Sequence, residues 1–134
     1  MAFIPYLNFD GNCAEAMTFY AKLFNATELQ ILRYSDAPAS EGLPPSDAVM
    51  YSHIMLGEAC LMGSDHPPGS DPEPMTSVSV NHPVATPQEG QAIFDQLAEG
   101  GTILMPYEKT FFSSAFGMVR DRFGTSWMIG VLTE

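Results

Sequence analysis

The side chains of this 134-residue chain that could do chemistry are three histidines, two cysteines and a scattering of serines and carboxylates. His53 is the best placed of them. It sits in Val49-Met50-Tyr51-Ser52-His53-Ile54, a run that reads as a strand, where it shares a face with Tyr51 and Met55. An imidazole there has three open roles: a core or pocket group satisfied by a neighbouring hydroxyl or carbonyl, a substrate contact or acid–base group, or a metal ligand. The first is favoured, and metal ligation comes last because no second ligand can be placed beside it.

The remaining candidates are weaker. His66 and His82 stand beside Pro67 and Pro83 and read as loop residues. Glu58 follows Gly57 at an expected hairpin and reads as a solvated turn carboxylate. Cys60, within Ala59-Cys60-Leu61-Met62, has neither a cation nor a helix terminus to lower its thiol pKa. Cys13 falls in the first turn of an expected helix, a more activating place, but on its apolar stripe. Ser113-Ser114 lies in no G-x-S-x-G elbow and has no evident histidine partner.

The elements that must position these groups follow from periodicity. Cys13, Ala16, Met17, Tyr20, Leu23 and Phe24 form the stripe of a one-sided helix over residues 12–24. Asn12 is its expected cap, Glu15 lies at the capping-box spacing, and Asn25 is the expected stop. Upstream, residues 4–9 alternate, with Leu7 and Phe9 on one face and Ile4, Tyr6 and Asn8 on the other. The second half repeats the order. Residues 76–81 alternate, and Thr86-Pro87-Gln88-Glu89 then starts a helix with a Thr cap, Pro at the first position and Glu three residues past the cap. Its stripe is Gly90, Ile93, Phe94 and Leu97, ending at Gly100-Gly101. Three strand-like segments follow each helix: 27–34, 49–56 and 59–62, then 102–107, 115–120 and 126–132. Asp121-Arg122-Phe123-Gly124 is a tight turn between the last two.

The chain therefore reads as α+β, with two strand-helix-strand-strand-strand (βαβββ) modules over about 1–65 and 75–134. A linker over 63–74, containing Pro67, Pro68, Pro72 and Pro74, joins them. Residues 35–47, with Pro38, Pro44 and Pro45, form a second loose stretch. A lone module leaves one sheet face uncovered, so two modules sharing one domain are expected.

Composition narrows the function. Hydrophobic residues are 46% of the chain and charged residues only 16%, the reverse of a disordered balance. A net charge of −11 repels phosphate backbones and anionic lipid, so neither nucleic acid nor membrane is an expected partner. Two cysteines make no disulfide framework, and the opening Met-Ala-Phe-Ile-Pro-Tyr lacks the basic and apolar regions of a secretory leader. A cytoplasmic location is expected. Low charge content also favours a homodimer that buries apolar surface.

Three separated motifs carry a family resemblance. They are Pro5-Tyr6-Leu7-Asn8-Phe9-Asp10-Gly11-Asn12 with Ala16 and Phe19-Tyr20, then Leu61-Met62-Gly63-Ser64-Asp65, then Phe116-Gly117 with Val119, Asp121, Phe123-Gly124 and Trp127. In this order, with the duplicated pattern, the chain resembles the PhnB-like branch of the vicinal oxygen chelate superfamily of glyoxalase, bleomycin-resistance and extradiol dioxygenase proteins. Arg122 stands where that branch usually has Pro. The resemblance implies two βαβββ modules forming a half-barrel with a cavity between them. Members are often labelled 3-demethylubiquinone methyltransferases, but the sequence shows no Gly-rich strand-to-helix turn for a nucleotide-type cofactor, so that activity is not carried over.

In metal-using relatives the first and last strands of each module supply the ligands. Here those places offer Ile4, Tyr6 or Asn8, then Met62 or Ser64 with Asp65 beyond, then Ser77 or Ser79, and finally Ile129. None is a good ligand, and the expectation is no metal or other cofactor. Relatives often carry His where Tyr51 stands and an acid near His53, so the polar pair persists in altered form. Tyr6, Asn8, Tyr51, His53, Phe112 and Trp127 are the expected ligand contacts, with Phe111-Phe112 in a loop over the cavity and the Trp127 indole N–H orienting a polar group. The expected function is metal-free binding of a small apolar or aromatic molecule. The alternative is a divalent-metal-dependent lyase, isomerase or dioxygenase with an irregular site around His53.

Overall fold

A computed structural model describes residues 3–38, 42 and 46–132. The chain divides into two compact units, Met1–Pro74 and Met75–Glu134. The first contains β1 (Tyr6–Phe9), α1 (Cys13–Leu23), β2 (Glu28–Arg33), a single 3-10 turn (Tyr34–Asp36), β3 (Val49–Leu56) and β4 (Ala59–Asp65). The second contains β5 (Ser79–Val84), α2 (Pro87–Ala98), β6 (Thr102–Glu108), β7 (Phe116–Arg120) and β8 (Ser126–Val131). Both modules of the expected βαβββ pattern are present. Each forms a four-stranded mixed sheet, ordered β1-β4-β3-β2 in one and β5-β8-β7-β6 in the other. In each sheet the first strand runs parallel to the last and the remaining pairs are antiparallel. Among the described residues no helix is long and apolar enough to cross a membrane. Of the expected loose stretch at 35–47, residues 39–41 and 43–45 lie outside the described residues.

Each helix packs its apolar stripe on one face of its own sheet. In the first unit Leu7, Phe9 and Ile54 are buried together with Cys13, Met17 and Tyr20 of α1. A Cβ on Gly63 would meet the Phe9 ring at 3.1 Å and the Met17 sulfur at 3.4 Å, so glycine lets the helix approach β4. The strand period of two sends Tyr6, Asn8, Tyr51, His53, Met62 and Ser64 to the opposite face. In the second unit Phe94 and Leu97 of α2 are buried with Val119, Trp127 and Ile129.

Four local expectations need correction. Asn12 makes no side-chain cap on α1; the Cys13 N–H instead donates to Asp65 Oδ1 at 3.0 Å, and Asp65 Oδ2 accepts the Val49 N–H at 2.8 Å. A carboxylate at the positive end of a helix is a stronger partner than an Asn amide. Because Asp65 is the end of β4, residues 63–65 belong to that strand and not to the linker. The strand expected at 76–81 lies at Ser79–Val84, three residues later. Pro83 is tolerated there because β5 is the outer strand of its own sheet, pairing with β8 among the described residues. His82 accordingly is a strand residue, not a loop residue, and shares with Val80 and Val84 the side facing α2.

Other signals hold as expected. Thr86 Oγ1 accepts the Glu89 N–H at 3.1 Å, while Glu89 Oε2 reaches back to the Ala85 N–H at 3.2 Å. Asn25 takes the left-handed conformation (φ 54°) that closes α1.

Candidate functional site

The face of the first sheet turned away from α1 gathers the polar and aromatic side chains of the site. Tyr51 and His53 are neighbours along β3, and the Tyr51 hydroxyl lies 2.7 Å from His53 Nδ1. Their rings meet edge-on, with centroids 5.5 Å apart. The other ring nitrogen, Nε2, bonds to Glu28 Oε2 on β2. Register explains this pairing. Glu28 stands opposite Met55 and Gln30 opposite His53, so Glu28 is the diagonal same-face neighbour of the imidazole. An ionised carboxylate only accepts, so Nε2 carries a hydrogen, and in the neutral ring Nδ1 is left to accept the Tyr51 O–H. The result is a hydrogen-bonded chain, Tyr51 to His53 to Glu28, with the His53 side chain 14% exposed and Glu28 57% exposed.

Across the sheet, His53 stands opposite Met62 and Met62 opposite Tyr6. Tyr6 is therefore two strands from His53, about 10 Å at the usual strand spacing. It is 45% exposed. Asn8 lies two residues further along β1, opposite Ser64. Burial raises the Tyr51 phenol pKa, with smaller contributions from Cys60, Tyr6 and Glu28. Burial also raises the Cys60 thiol, and Glu28 adds to the effect. Neither group is poised as an anionic nucleophile.

Of the expected contacts, the structure thus brings Tyr6, Asn8, Tyr51 and His53 to one face. Glu28 was not legible in advance, because its partnership depends on the β2–β3 register. Phe112 and Trp127 belong to the second unit. Phe112 is 45% exposed and stacks edge-on with Phe111 and Phe116. Trp127 requires correction: it lies in the core beside α2, 2% exposed, and its indole N–H donates to Asp121 Oδ2 at 2.9 Å. Asp121 Oδ1 accepts the Phe123 and Thr125 N–H groups at 2.9 and 3.0 Å, so the indole helps close the β7–β8 turn.

The other nucleophile candidates have structural partners. Cys13 is buried, which pushes its thiol pKa up to about 11 against a partial lowering by the Ser52 hydroxyl 3.5 Å away. Ser113 Oγ is 2.7 Å from the Ala115 carbonyl and 2.9 Å from that of Val131, anchoring its loop.

The residues at the expected metal positions do not fit a divalent ion. On the faces turned from the helices, the first and last strands present Tyr6 and Asn8 with Met62 and Ser64, and Ser79 and Asn81 with Ser126 and Met128. Ile129 lies on the helix side, beneath α2, and so does not occupy that face. Asp65 is engaged by two backbone amides. Among the described residues no three of His, Cys, Asp and Glu gather into a group that could hold a metal.

Comparison with known proteins places this arrangement. Residues 1–130 match the family described as 3-demethylubiquinone-9 3-methyltransferase. The chain is 32% identical to protein YjdN of Escherichia coli, covering 100% of this chain and 97% of that one. Protein PA1353 of Pseudomonas aeruginosa has a similar crystal structure, with a TM-score of 0.90, 34% identity, and coverage of 100% and 99%. The PhnB protein of Bacillus cereus gives 0.82 at 28% identity, over 98% of this chain and all of the other. With both modules, the motifs and the match spanning nearly its full length, the chain belongs to the 3-demethylubiquinone-9 3-methyltransferase family, the PhnB-like branch of the glyoxalase and bleomycin-resistance superfamily.

Proposed function

We propose that the protein binds a small apolar or aromatic molecule without a metal, against the sheet face that carries Tyr6, Asn8, Tyr51 and His53. The observation supporting this is the Tyr51–His53–Glu28 chain: a fixed polar group beside aromatic and thioether surface is how small-molecule sites set orientation. The donor set supports the metal-free form: Tyr6, Asn8, Tyr51, Met62 and Ser64 offer no imidazole, carboxylate or thiolate, and His53 and Glu28 bond to each other. The family's methyltransferase description is not adopted as the activity. The turn from β1 to α1 holds one glycine, Gly11, and the first helical amide is already taken by Asp65.

The protein acts in this reading as a cytoplasmic homodimer. Supporting the dimer, Ile103, Leu104 and Met105 on the edge strand β6 are each 40% exposed or more. A second reading, a metal-dependent lyase, isomerase or dioxygenase around His53, draws on the His53–Glu28 imidazole–carboxylate pair of this face. It ranks lower because those two groups bond to each other and, among the described residues, have no third ligand beside them.

The test is a thermal-shift screen against aromatic and 2-oxo compounds, repeated on Tyr51→Phe and His53→Ala. The reading expects at least one compound to raise the melting temperature of the parent and to lose that effect in both variants. A screen in which nothing stabilises the parent removes its basis.

A further inference from the structure

Glu28 has a consequence for the kind of molecule this face accepts. Its carboxylate can only accept a hydrogen bond, which fixes the neutral His53 ring with hydrogen on Nε2 and a lone pair on Nδ1. The Tyr51 hydroxyl hydrogen is then directed at Nδ1. What the phenol oxygen presents outward is a lone pair.

Resting on the binding reading above, we infer that Glu28 and His53 set the polarity of the Tyr51 hydroxyl. The face selects ligands bearing an O–H or N–H donor, which the outward lone pair of the Tyr51 hydroxyl accepts. Glu28 is here a positioning residue, acting through His53, and Tyr51 is the group that meets the ligand.

Two measurements on the full chain test this, and they separate failure of the inference from failure of the binding reading. The first is nitrogen-15 NMR of the imidazoles, with His53→Gln assigning the His53 signals. The expected result is the Nε2–H tautomer in the parent and a mixture of tautomers in Glu28→Ala, restored by Glu28→Asp. An Nδ1–H tautomer, or one unchanged by Glu28→Ala, overturns the inference whatever binds.

The second follows backbone amides of β3 during titration with p-cresol, which carries a donor, and 4-methylanisole, which does not. In the parent p-cresol is expected to bind about tenfold more tightly, the effect of one hydrogen bond. The preference is expected to be lost in Tyr51→Phe. A ratio near unity in the parent, or one that survives in Tyr51→Phe, overturns the inference. With the tautomer as expected and neither probe shifting β3, the binding reading fails and the inference with it.

Discussion

His53 Nδ1 lies 2.7 Å from the hydroxyl of Tyr51, two residues earlier on the same strand. Same-face residues two apart on a strand are separated by roughly 6.6 Å along the backbone, so the two side chains must lean together to meet. Glu28 holds the far side of the ring. Tyr51→Phe removes the donor and leaves Nδ1 without it. Denaturant unfolding is expected to show a loss of about 1 kcal/mol with an unchanged circular dichroism spectrum. A variant as stable as the parent would mean that the bond contributes nothing in solution.

Asp65 supports the same site from below. It ties the start of α1 to the start of β3 through the Cys13 and Val49 amides, which are distant in sequence. Asp65→Ala leaves two backbone donors without their carboxylate and is expected to cost about 2–4 kcal/mol. Asp65→Asn, keeping an acceptor oxygen, should cost less. Equal stability of Asp65→Ala and the parent in chemical denaturation is the outcome this account does not permit.

Trp127→Phe separates core from ligand contact. The substitution removes the N–H bonded to Asp121 and shrinks a fully buried ring, for an expected loss of about 2 kcal/mol. Affinity for any ligand that stabilises the parent should be unchanged. Lost affinity in a variant that remains folded would return Trp127 to the site.

His82 gives a pH dependence with a definite sign. Burial lowers its pKa below the ordinary value of 6.5, and Glu89 only partly opposes this. The unfolded chain therefore binds its proton first as pH falls. Stability from this group is fully present above the unfolded pKa and declines as pH falls toward the folded one. Unfolding midpoints measured across that window should decline less in His82→Gln than in the parent; parallel profiles would show that the ring titrates alike in both states.

Thiol chemistry offers a further check. With its pKa pushed up to about 11 inside the core, Cys13 should react with an alkylating reagent only after unfolding. Cys60, half-buried, should label slowly in the native protein. Rapid native labelling of Cys13, read by mass spectrometry, contradicts the packing of α1 on β3.

Much of this was written in local signals. Both helices lie within a residue of their expected limits because stripes and stops agree, and Val49–Leu56 is bounded as its alternation and Gly57 require. The misses have physical causes. Pro83 reads as a strand breaker, yet an edge strand has no use for its missing N–H. In β8 both faces are largely buried, so alternation does not reveal which side Trp127 takes. Glu28 meets His53, and Asp65 meets Cys13, through registers set by chain segments far apart, and no local pattern encodes those pairings.

The central claim is that this face holds an organic ligand without help from a metal ion. It is tested most directly by titrating p-cresol into chelator-treated protein and into the same protein resupplied with divalent metal, with elemental analysis of both and of His53→Ala. The account predicts equal affinity in the two preparations and no stoichiometric metal that depends on His53. Binding that appears only after metal is restored, with one ion per chain lost in His53→Ala, would contradict it.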